Sequence, residues 1–125
     1  MNKEIKRLPD SELEVMLTIW KSGEILHTGE IHQRIGKGRP IQAVQTLLGR
    51  LCDKGFLRCE KRGRLNFYHP LAAEEDYRRQ ETASFLEKLY GNSAARLVAA
   101  LVQSDSLSES DLAEIRGILE KGGAD

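Results

Sequence analysis

Residues 39–70 read RPIQAVQTLLGRLCDKGFLRCEKRGRLNFYHP, and the order of the patterns inside this stretch decides the fold. Apolar residues at helical spacing predict a helix over residues 41–54, and Gly55 follows as a residue suited to end it. Residues 56–61 and 65–69 then predict two short strands joined by a tight turn. The stretch therefore predicts an amphipathic helix that leads directly into a β-hairpin.

The residues before this stretch predict a first helix. It opens at Asp10 or Ser11, and Ser11 with Glu14 has the spacing of a capping box, in which side chains satisfy the free amides of the first turn. Gly23 ends this helix. The apolar face that we expect to be buried consists of Leu13, Met16, Leu17 and Trp20.

A second helix is predicted from Thr28, as its N-cap, to Ile35, with a very short strand over residues 24–27 before it. The order helix, helix, helix, strand, strand is that of a winged helix-turn-helix. The expected fold class is mainly α with a small β wing. We expect a winged helix-turn-helix DNA-binding domain over residues 1–70 and a helical dimerisation domain over residues 71–125.

Three further helices are predicted after the hairpin, over residues 74–90, 93–102 and 108–120, the last opened by a capping box of Ser108 and Asp111. Segments of this size rarely build a core alone, so their apolar stripes predict a homodimer; folding back on the winged domain is the alternative. The predicted dimer interface consists of Phe85, Leu89, Leu97, Val98, Leu101, Leu112, Ile115 and Leu119.

The chain has no formal net charge, but its charges are unevenly distributed. Residues 34–64 hold nine Lys and Arg against two acidic residues, a balance of +7, whereas residues 80–125 hold four against eight, a balance of −4. A basic segment beside an acidic one is typical of a nucleic-acid module with an appended domain of another role, although ordinary solvated charge gives the same counts.

Polar residues of the predicted helix over 41–54 lie off its apolar stripe. Gln42, Gln45 and Thr46 are three and four residues apart and share one face, and Gly49 leaves room for a close approach. Glutamine can pair with N6 and N7 of adenine, and threonine can offer its hydroxyl or its methyl group. This face is therefore a candidate for reading the major groove; taken alone, it is also the pattern of a solvated surface.

Arginines surround this candidate face. Arg39 precedes the helix, and Arg62 and Arg64 flank Gly63 at the predicted wing tip. We expect these three to contact phosphate or the minor groove, which would position the protein and make binding salt-dependent. Arg50 either contacts phosphate or covers the domain surface.

The remaining reactive residues do not form a recognisable site. His27, His32 and His69 lack metal-ligand spacing, so we expect no metal and no cofactor. Cys52 and Cys59 are expected to be small core residues with reduced thiols; the basic residues near them keep a thiol-based sensor open as an alternative. No catalytic motif accompanies the Ser, Asp and His residues, so an enzyme is not expected.

The sequence contains neither an apolar run long enough to span a bilayer nor a secretory signal. We therefore expect no membrane insertion and a cytoplasmic location.

Four segments resemble the penicillinase-repressor family, the BlaI/MecI type that also includes copper-responsive repressors. They are LPDSELEVMLTIW at residues 8–20, PIQAVQTLLGRLCDKGFL at 40–57, GRLNFYHPL at 63–71, and SFLEKLYGNSAARLVAALVQSDSLSESDLAEIRGILEK at 84–121. The resemblance covers nearly the whole chain. It implies a homodimeric winged-helix repressor that binds a palindromic operator in double-stranded DNA.

The chain departs from the family at the DNA-reading helix. The family usually has a Lys-Thr pair near its start, where this chain has Gln42 and Ala43, and often a basic residue where it has Gln45. Thr46 and Arg50 match. The resemblance therefore implies DNA contacts from these five positions, an altered operator sequence and fewer phosphate contacts from the helix.

The resemblance also bears on regulation. The β-lactam-responsive members are cleaved at an Asn-Phe bond, which aligns with Ala100–Leu101 here, so a membrane sensor protease is a possible partner only with a different cleavage sequence. The copper-responsive members carry C-terminal CxC motifs, and this chain has no cysteine after Cys59. Copper sensing of that kind is not expected.

The leading hypothesis is thus a dimeric transcriptional repressor. It places the helix over residues 41–54 in the major groove and the wing at residues 62–64 on the DNA backbone. Two alternatives stay open at this point: a winged helix that binds a protein instead of DNA, and a ligand or redox sensor that acts through Cys52 or Cys59.

Overall fold

A computed structural model describes residues 6–36 and 38–122 of the chain. The described residues form six helices and three strands, in the order α1 (Asp10–Ser22), β1 (Leu26–His27), α2 (Thr28–Ile35), α3 (Ile41–Asp53), β2 (Leu57–Arg62), β3 (Leu65–Pro70), α4 (Glu74–Tyr90), α5 (Ala94–Gln103) and α6 (Glu109–Gly122). The predicted elements are confirmed in type and order, with ends that differ by two residues or fewer. Lys37 and the outermost residues of both predicted domains lie outside the described ranges.

A three-stranded antiparallel sheet forms the wing, with the strand order β1-β3-β2. The hairpin closes where Arg62 pairs with Leu65, and β1 adds to the other edge of β3 through Leu26 and Tyr68. One apolar core joins this sheet to α1, α2 and α3. Its fully buried side chains are Val15, Met16, Ile19, Leu26, Ile31, Val44, Leu48, Leu51, Phe56 and Leu57.

The sequence-based prediction for α1 was wrong in two respects. Pro9 is the N-cap and makes no side-chain capping bond, so Ser11, which we predicted as the capping residue, lies inside the helix. Leu17, predicted to be buried, is 42% exposed. The buried residues of α1 are Glu12, Val15, Met16 and Ile19. The apolar residues of this helix span a wider face than the part that packs on α2 and α3, so spacing alone did not identify the buried residues.

The cap of α2 also differs from the prediction, because Thr28 is already the first helical residue and His27 is the N-cap. His27 Nδ1 accepts hydrogen bonds from the amides of Gly29 at 3.1 Å and Glu30 at 3.4 Å. The carboxylate of Glu30 in turn accepts from the His27 amide at 3.0 Å. An imidazole nitrogen therefore accepts the capping hydrogen bonds that we expected a threonine hydroxyl to accept.

The first turn of α4 packs on the winged module. Tyr77 is buried; its hydroxyl accepts a hydrogen bond from the Leu8 amide at 3.0 Å, and its ring contacts those of Trp20 and Phe56. Trp20 donates from Nε1 to the carbonyl of Ala72 at 2.9 Å. The compact units of the chain accordingly divide within α4, as Met1–Glu81 and Thr82–Asp125, beyond the boundary at Pro70 that the sequence suggests.

The second unit has no buried residue between positions 82 and 122. Its last helix has the predicted capping box: the Asp111 amide donates to Ser108 Oγ at 3.0 Å, and the Ser108 amide donates to Asp111 Oδ2 at 3.0 Å. The Ser108 backbone and hydroxyl lower the pKa of Asp111 through these bonds. None of the helices in residues 6–36 and 38–122 is long and apolar enough to cross a bilayer.

Candidate nucleic-acid interface

Helix α3 has one buried and one open side. Val44, Leu47, Leu48 and Leu51 are buried against the core. The helix starts after Pro40, whose carbonyl accepts from the amides of Ala43 at 3.0 Å and Val44 at 3.4 Å. Proline suits this place because it has no amide that needs a partner.

The exposed side of α3 is the polar face predicted from the sequence. Gln42, Ala43, Gln45, Thr46, Gly49 and Arg50 are all exposed. The Thr46 hydroxyl donates to the Gln42 carbonyl at 3.0 Å, so its oxygen can still accept a hydrogen bond. A Cβ on Gly49 would meet no other atom within 4 Å, so the protein's own packing does not require glycine here.

Two ion pairs connect α1 to the ends of α3. Lys54, at the C-terminal end, pairs with Oε1 of Glu12, whose side chain is 3% exposed. Arg39, just before α3, places Nη2 2.6 Å from Oε1 of Glu14. The Arg39 carbonyl also accepts a hydrogen bond from His32 Nε2 at 2.6 Å. A carbonyl oxygen only accepts hydrogen bonds, so Nε2 of His32 is the donor in this contact.

The wing holds one of its arginines in place. Arg62 Nη2 lies 2.8 Å from Glu60 Oε1, and its guanidinium carbon lies 4.5 Å from the centre of the Phe67 ring. His69 Nε2 contacts the same Glu60 oxygen at 2.7 Å. Hydrogen bonds from Arg62 and then His69 lower the pKa of Glu60 to about 2, so this carboxylate is ionised at neutral pH. Arg62 is still half-exposed, but its charge is balanced locally.

Two arginines of this surface, by contrast, carry charges that no described acidic residue balances. Arg50 and Arg64 are exposed and make no ion pair within residues 6–36 and 38–122. Arg58 and Lys61 on β2 are likewise exposed and without an ion pair among the described residues, although the sequence analysis did not name them as candidates. Alternation along β2 places Arg58 on the face opposite the buried Leu57, whereas Lys61 shares the face of Leu57 and is exposed near the turn of the hairpin, so alternation alone identifies neither as a DNA contact.

Sequence reasoning missed the residues that hold α3. Glu12, Glu14 and Lys54 are ordinary surface charges in the sequence. Their partners lie 42 residues away in one pair and 25 in the other, so no local spacing could connect them.

The two cysteines lie in different environments. Cys52 is half-buried, and Cys59, which we expected in the core, is exposed because β2 lies at the edge of the sheet. Burial first, and then the nearby Cys59 and Asp53, raise the pKa of the Cys52 thiol. A raised pKa disfavours the thiolate that a sensor needs. No group of three or more possible metal ligands occurs within the described residues.

The predicted dimer residues lie on α4, α5 and α6. Phe85, Leu89, Val98, Leu112 and Leu119 are exposed, and the other three of the predicted set, Leu97, Leu101 and Ile115, are half-buried. Ala100 and Leu101, which align with the family's cleavage bond, are half-buried inside α5.

Comparison with known proteins extends over nearly the whole chain. The penicillinase repressor family matches residues 8–121. The penicillinase repressor of Bacillus licheniformis is 36% identical over 121 residues, which cover 95% of this chain and 94% of the relative. The methicillin resistance regulatory protein MecI of Staphylococcus aureus (strain N315) is 28% identical over 122 residues, which cover 97% of this chain and 99% of the relative.

Two solved structures resemble the winged part. The solution structure of the DNA-binding domain of the repressor BlaI has a TM-score of 0.53 and 37% identity, and the match covers 61% of this chain and 94% of that domain. The monomeric form of B. licheniformis BlaI in complex with the blaP half-operator has a TM-score of 0.50 and 38% identity, with the same coverage. These likenesses confirm the winged-helix fold predicted from the sequence.

Proposed function

Because the chain belongs to the penicillinase repressor family, we propose that it represses transcription by binding operator DNA through its winged module. The observation that carries this proposal is the open polar face of α3, with unpaired arginines at Arg50 and Arg64 on the same basic segment. A solved relative was studied bound to its half-operator, and its likeness covers this same module.

The binding mode follows from the side chains that α3 exposes. We place Gln42, Gln45 and Thr46 against base edges in the major groove, where an amide pairs with adenine and the threonine methyl group meets thymine. Ala43 adds a small apolar contact. Arg50 and the wing arginines contact phosphates, which fixes the register without reading sequence. Amides replace the lysine and basic residue usual in the family, so this operator should be richer in A·T pairs at the contacted positions.

Footprinting of the purified protein on the DNA upstream of its own gene, at two salt concentrations, tests the proposal. We expect a protected two-fold symmetric site whose half-sites are about one helical turn apart, with affinity falling steeply as salt rises. Uniform coating of the DNA, or no protection at low salt, would reject a sequence-specific repressor. A binding partner among proteins would then become the leading hypothesis.

We further propose that residues 82–122 hold two copies together. This unit exposes large apolar side chains on each of its helices, including Leu89, Val102 and Leu119. A contiguous apolar surface that stays in water is unfavourable, at about 25 cal/mol for each Å². A second copy would cover it and would join two DNA-reading helices for the two halves of an operator.

Sedimentation equilibrium of a matched pair of variants tests the dimer. Leu119→Glu places a charge in the predicted interface, whereas Glu120→Gln changes the polar neighbour on the same exposed helix. We expect the first variant to be monomeric with unchanged helical circular dichroism and the second to be dimeric. A Leu119→Glu protein that still sediments as a dimer would remove α6 from the interface.

Control by a sensor protease that cuts at Ala100–Leu101 would require a local change of structure. Proteases bind their substrates as extended chain, whereas Ala100 and Leu101 lie inside α5. Cleavage at this bond would require the middle of α5 to unwind. Incubation with a candidate protease, followed by mass spectrometry of the fragments, would locate any cut directly.

A further inference from the structure

The arginine that immediately precedes the DNA-reading helix is turned toward its own protein. The Arg39 side chain is 30% exposed, and Nη2 lies 2.6 Å from Oε1 of Glu14, whose side chain is 28% exposed. The other terminal nitrogen, Nη1, is buried and has no hydrogen-bond partner in the described part of the chain. In this arrangement Nη1 is shielded from a phosphate, and Nη2 is already engaged by a carboxylate of the protein.

The backbone of the same residue is also held. His32 Nε2 donates to the Arg39 carbonyl at 2.6 Å, and the Arg39 amide donates to the Gly36 carbonyl at 3.5 Å. Pro40 follows directly, and its carbonyl accepts the first two hydrogen bonds of α3. Arg39 is therefore held by both its side chain and its backbone immediately before α3 begins.

A second anchor lies at the far end of the same helix. Lys54, the C-cap of α3, pairs with the buried carboxylate of Glu12. Glu12 and Glu14 are two residues apart on α1, so one helix holds both ends of α3 through charged contacts. The open polar face, which extends from Gln42 to Arg50, lies between these two anchors.

We propose that Arg39 is a positioning residue for operator recognition: it fixes the N-terminal end of α3 through Glu14 and does not itself contact DNA. This inference rests on the proposed function, since it concerns how the same face of α3 reaches the major groove. A charge-assisted hydrogen bond between a guanidinium and a carboxylate is directional, so it favours one orientation as well as one distance.

Removal of the partner carboxylate separates the two roles, because they predict opposite results for Glu14→Gln. If Arg39 positions α3, loss of its partner should weaken operator binding by about three- to fivefold, the upper part of the range for a partly exposed charged contact. If Arg39 contacts phosphate, loss of Glu14 should leave affinity unchanged or raise it, since it frees Arg39 and removes a negative charge near DNA.

The matched control is Glu24→Gln, which removes the same charge from an exposed glutamate just after α1. We expect fluorescence anisotropy with a labelled operator duplex to show unchanged or slightly tighter binding for this variant. Arg39→Gln should weaken binding as much as Glu14→Gln while leaving the slope of log Kd against log salt unchanged. A phosphate contact would instead lower that slope by about one.

A charge exchange keeps the test decisive if a single variant is poorly folded. The double variant Glu14→Arg with Arg39→Glu restores the pair with reversed signs, whereas Arg39→Glu with Glu24→Arg restores only the net charge. We expect the first to bind within about threefold of the wild type and the second to stay weak. Equal affinities for the two double variants, or a Glu14→Gln protein that binds at least as well as the wild type, would overturn the positioning role. Absence of specific binding by the wild-type protein itself would reject the proposed function instead.

Discussion

At the scale of single residues, charge in the sequence and charge available to a ligand are different quantities. The basic segment holds a balance of +7 in the sequence, yet Arg39, Lys54 and Arg62 each face a carboxylate of the protein. The cations left for phosphate on this segment include Arg50, Arg58, Lys61 and Arg64. Local pairing therefore decides which arginines add salt dependence.

The two wing arginines provide a direct test of this difference. Arg64→Ala should weaken operator binding at all sequences and reduce the salt slope by about one, because its charge is unpaired. Arg62→Ala should reduce the slope less, because Glu60 already balances that charge. Titrations at several salt concentrations measure both slopes, and equal reductions would mean that Glu60 releases Arg62 when DNA binds.

Glu60 makes the wing sensitive to acid. Its pKa is lowered to about 2, so its ionised form contributes stability above the ordinary glutamate pKa of 4.5, and that contribution is lost as pH falls from 4.5 toward 2. Glu60→Gln should flatten this part of the stability profile. Thermal unfolding of both proteins between pH 7 and pH 2.5 measures it; parallel profiles would contradict the assignment.

The two thiols should react at different rates. Cys59 is exposed, whereas Cys52 is half-buried and burial raises the pKa of its thiol. Alkylation with iodoacetamide at neutral pH, followed by mass spectrometry of peptides, should therefore modify Cys59 first. Faster modification of Cys52 would restore the sensor hypothesis.

At the scale of elements, a helix can belong to the module that precedes it. Helix α4 starts four residues after β3 ends, but its first turns complete the winged core through Tyr77. The ring fills the space between Trp20 and Phe56, and its hydroxyl satisfies the Leu8 amide. The start of α4 is thus part of the DNA-binding module.

Truncation of this side chain should destabilise the winged module strongly. Tyr77→Ala should lower the free energy of unfolding by about 3–5 kcal/mol, as for other buried aromatic residues. Tyr77→Phe should cost about 1–3 kcal/mol, because it leaves only the Leu8 amide unsatisfied. Urea denaturation measures both; the control is Tyr90→Phe, which changes a half-exposed tyrosine of the same helix.

At the scale of the whole molecule, the two compact units differ in how far they bury their apolar side chains. The first contains the apolar core of the chain, and the second has no buried residue between positions 82 and 122. A unit of that kind depends on what covers it. The winged module should therefore fold without the second unit, while the second unit should need a partner copy.

Two truncated proteins test this division. A chain that ends at Glu81 keeps Tyr77 and should be a folded monomer with weak operator binding, because one half-site is read at a time. A chain that ends at Pro70 loses Tyr77 and should melt at a clearly lower temperature. Equal melting temperatures would place the boundary at the end of the wing.

The sequence by itself determined the order of the elements, the winged fold and the polar face of α3. These features depend on local periodicity, on glycine and proline at the ends of elements, and on the strand–turn–strand pattern. Each of these signals is formed by residues that are close together in the sequence. The predicted residues Gln42, Gln45 and Thr46 are exposed together for this reason. Their helical spacing and their position off the apolar stripe were sufficient to find them.

The tertiary structure alone decided which face of α1 is buried, which arginines are paired and where α4 joins the core. Leu17 and Val15 are equally apolar in the sequence, but only Val15 faces α2 and α3. Arg39 and Arg64 are equally basic, but only Arg39 meets a carboxylate, 25 residues away in the chain. Pairing and burial of this kind depend on distances in space between residues far apart in sequence, which no local pattern encodes.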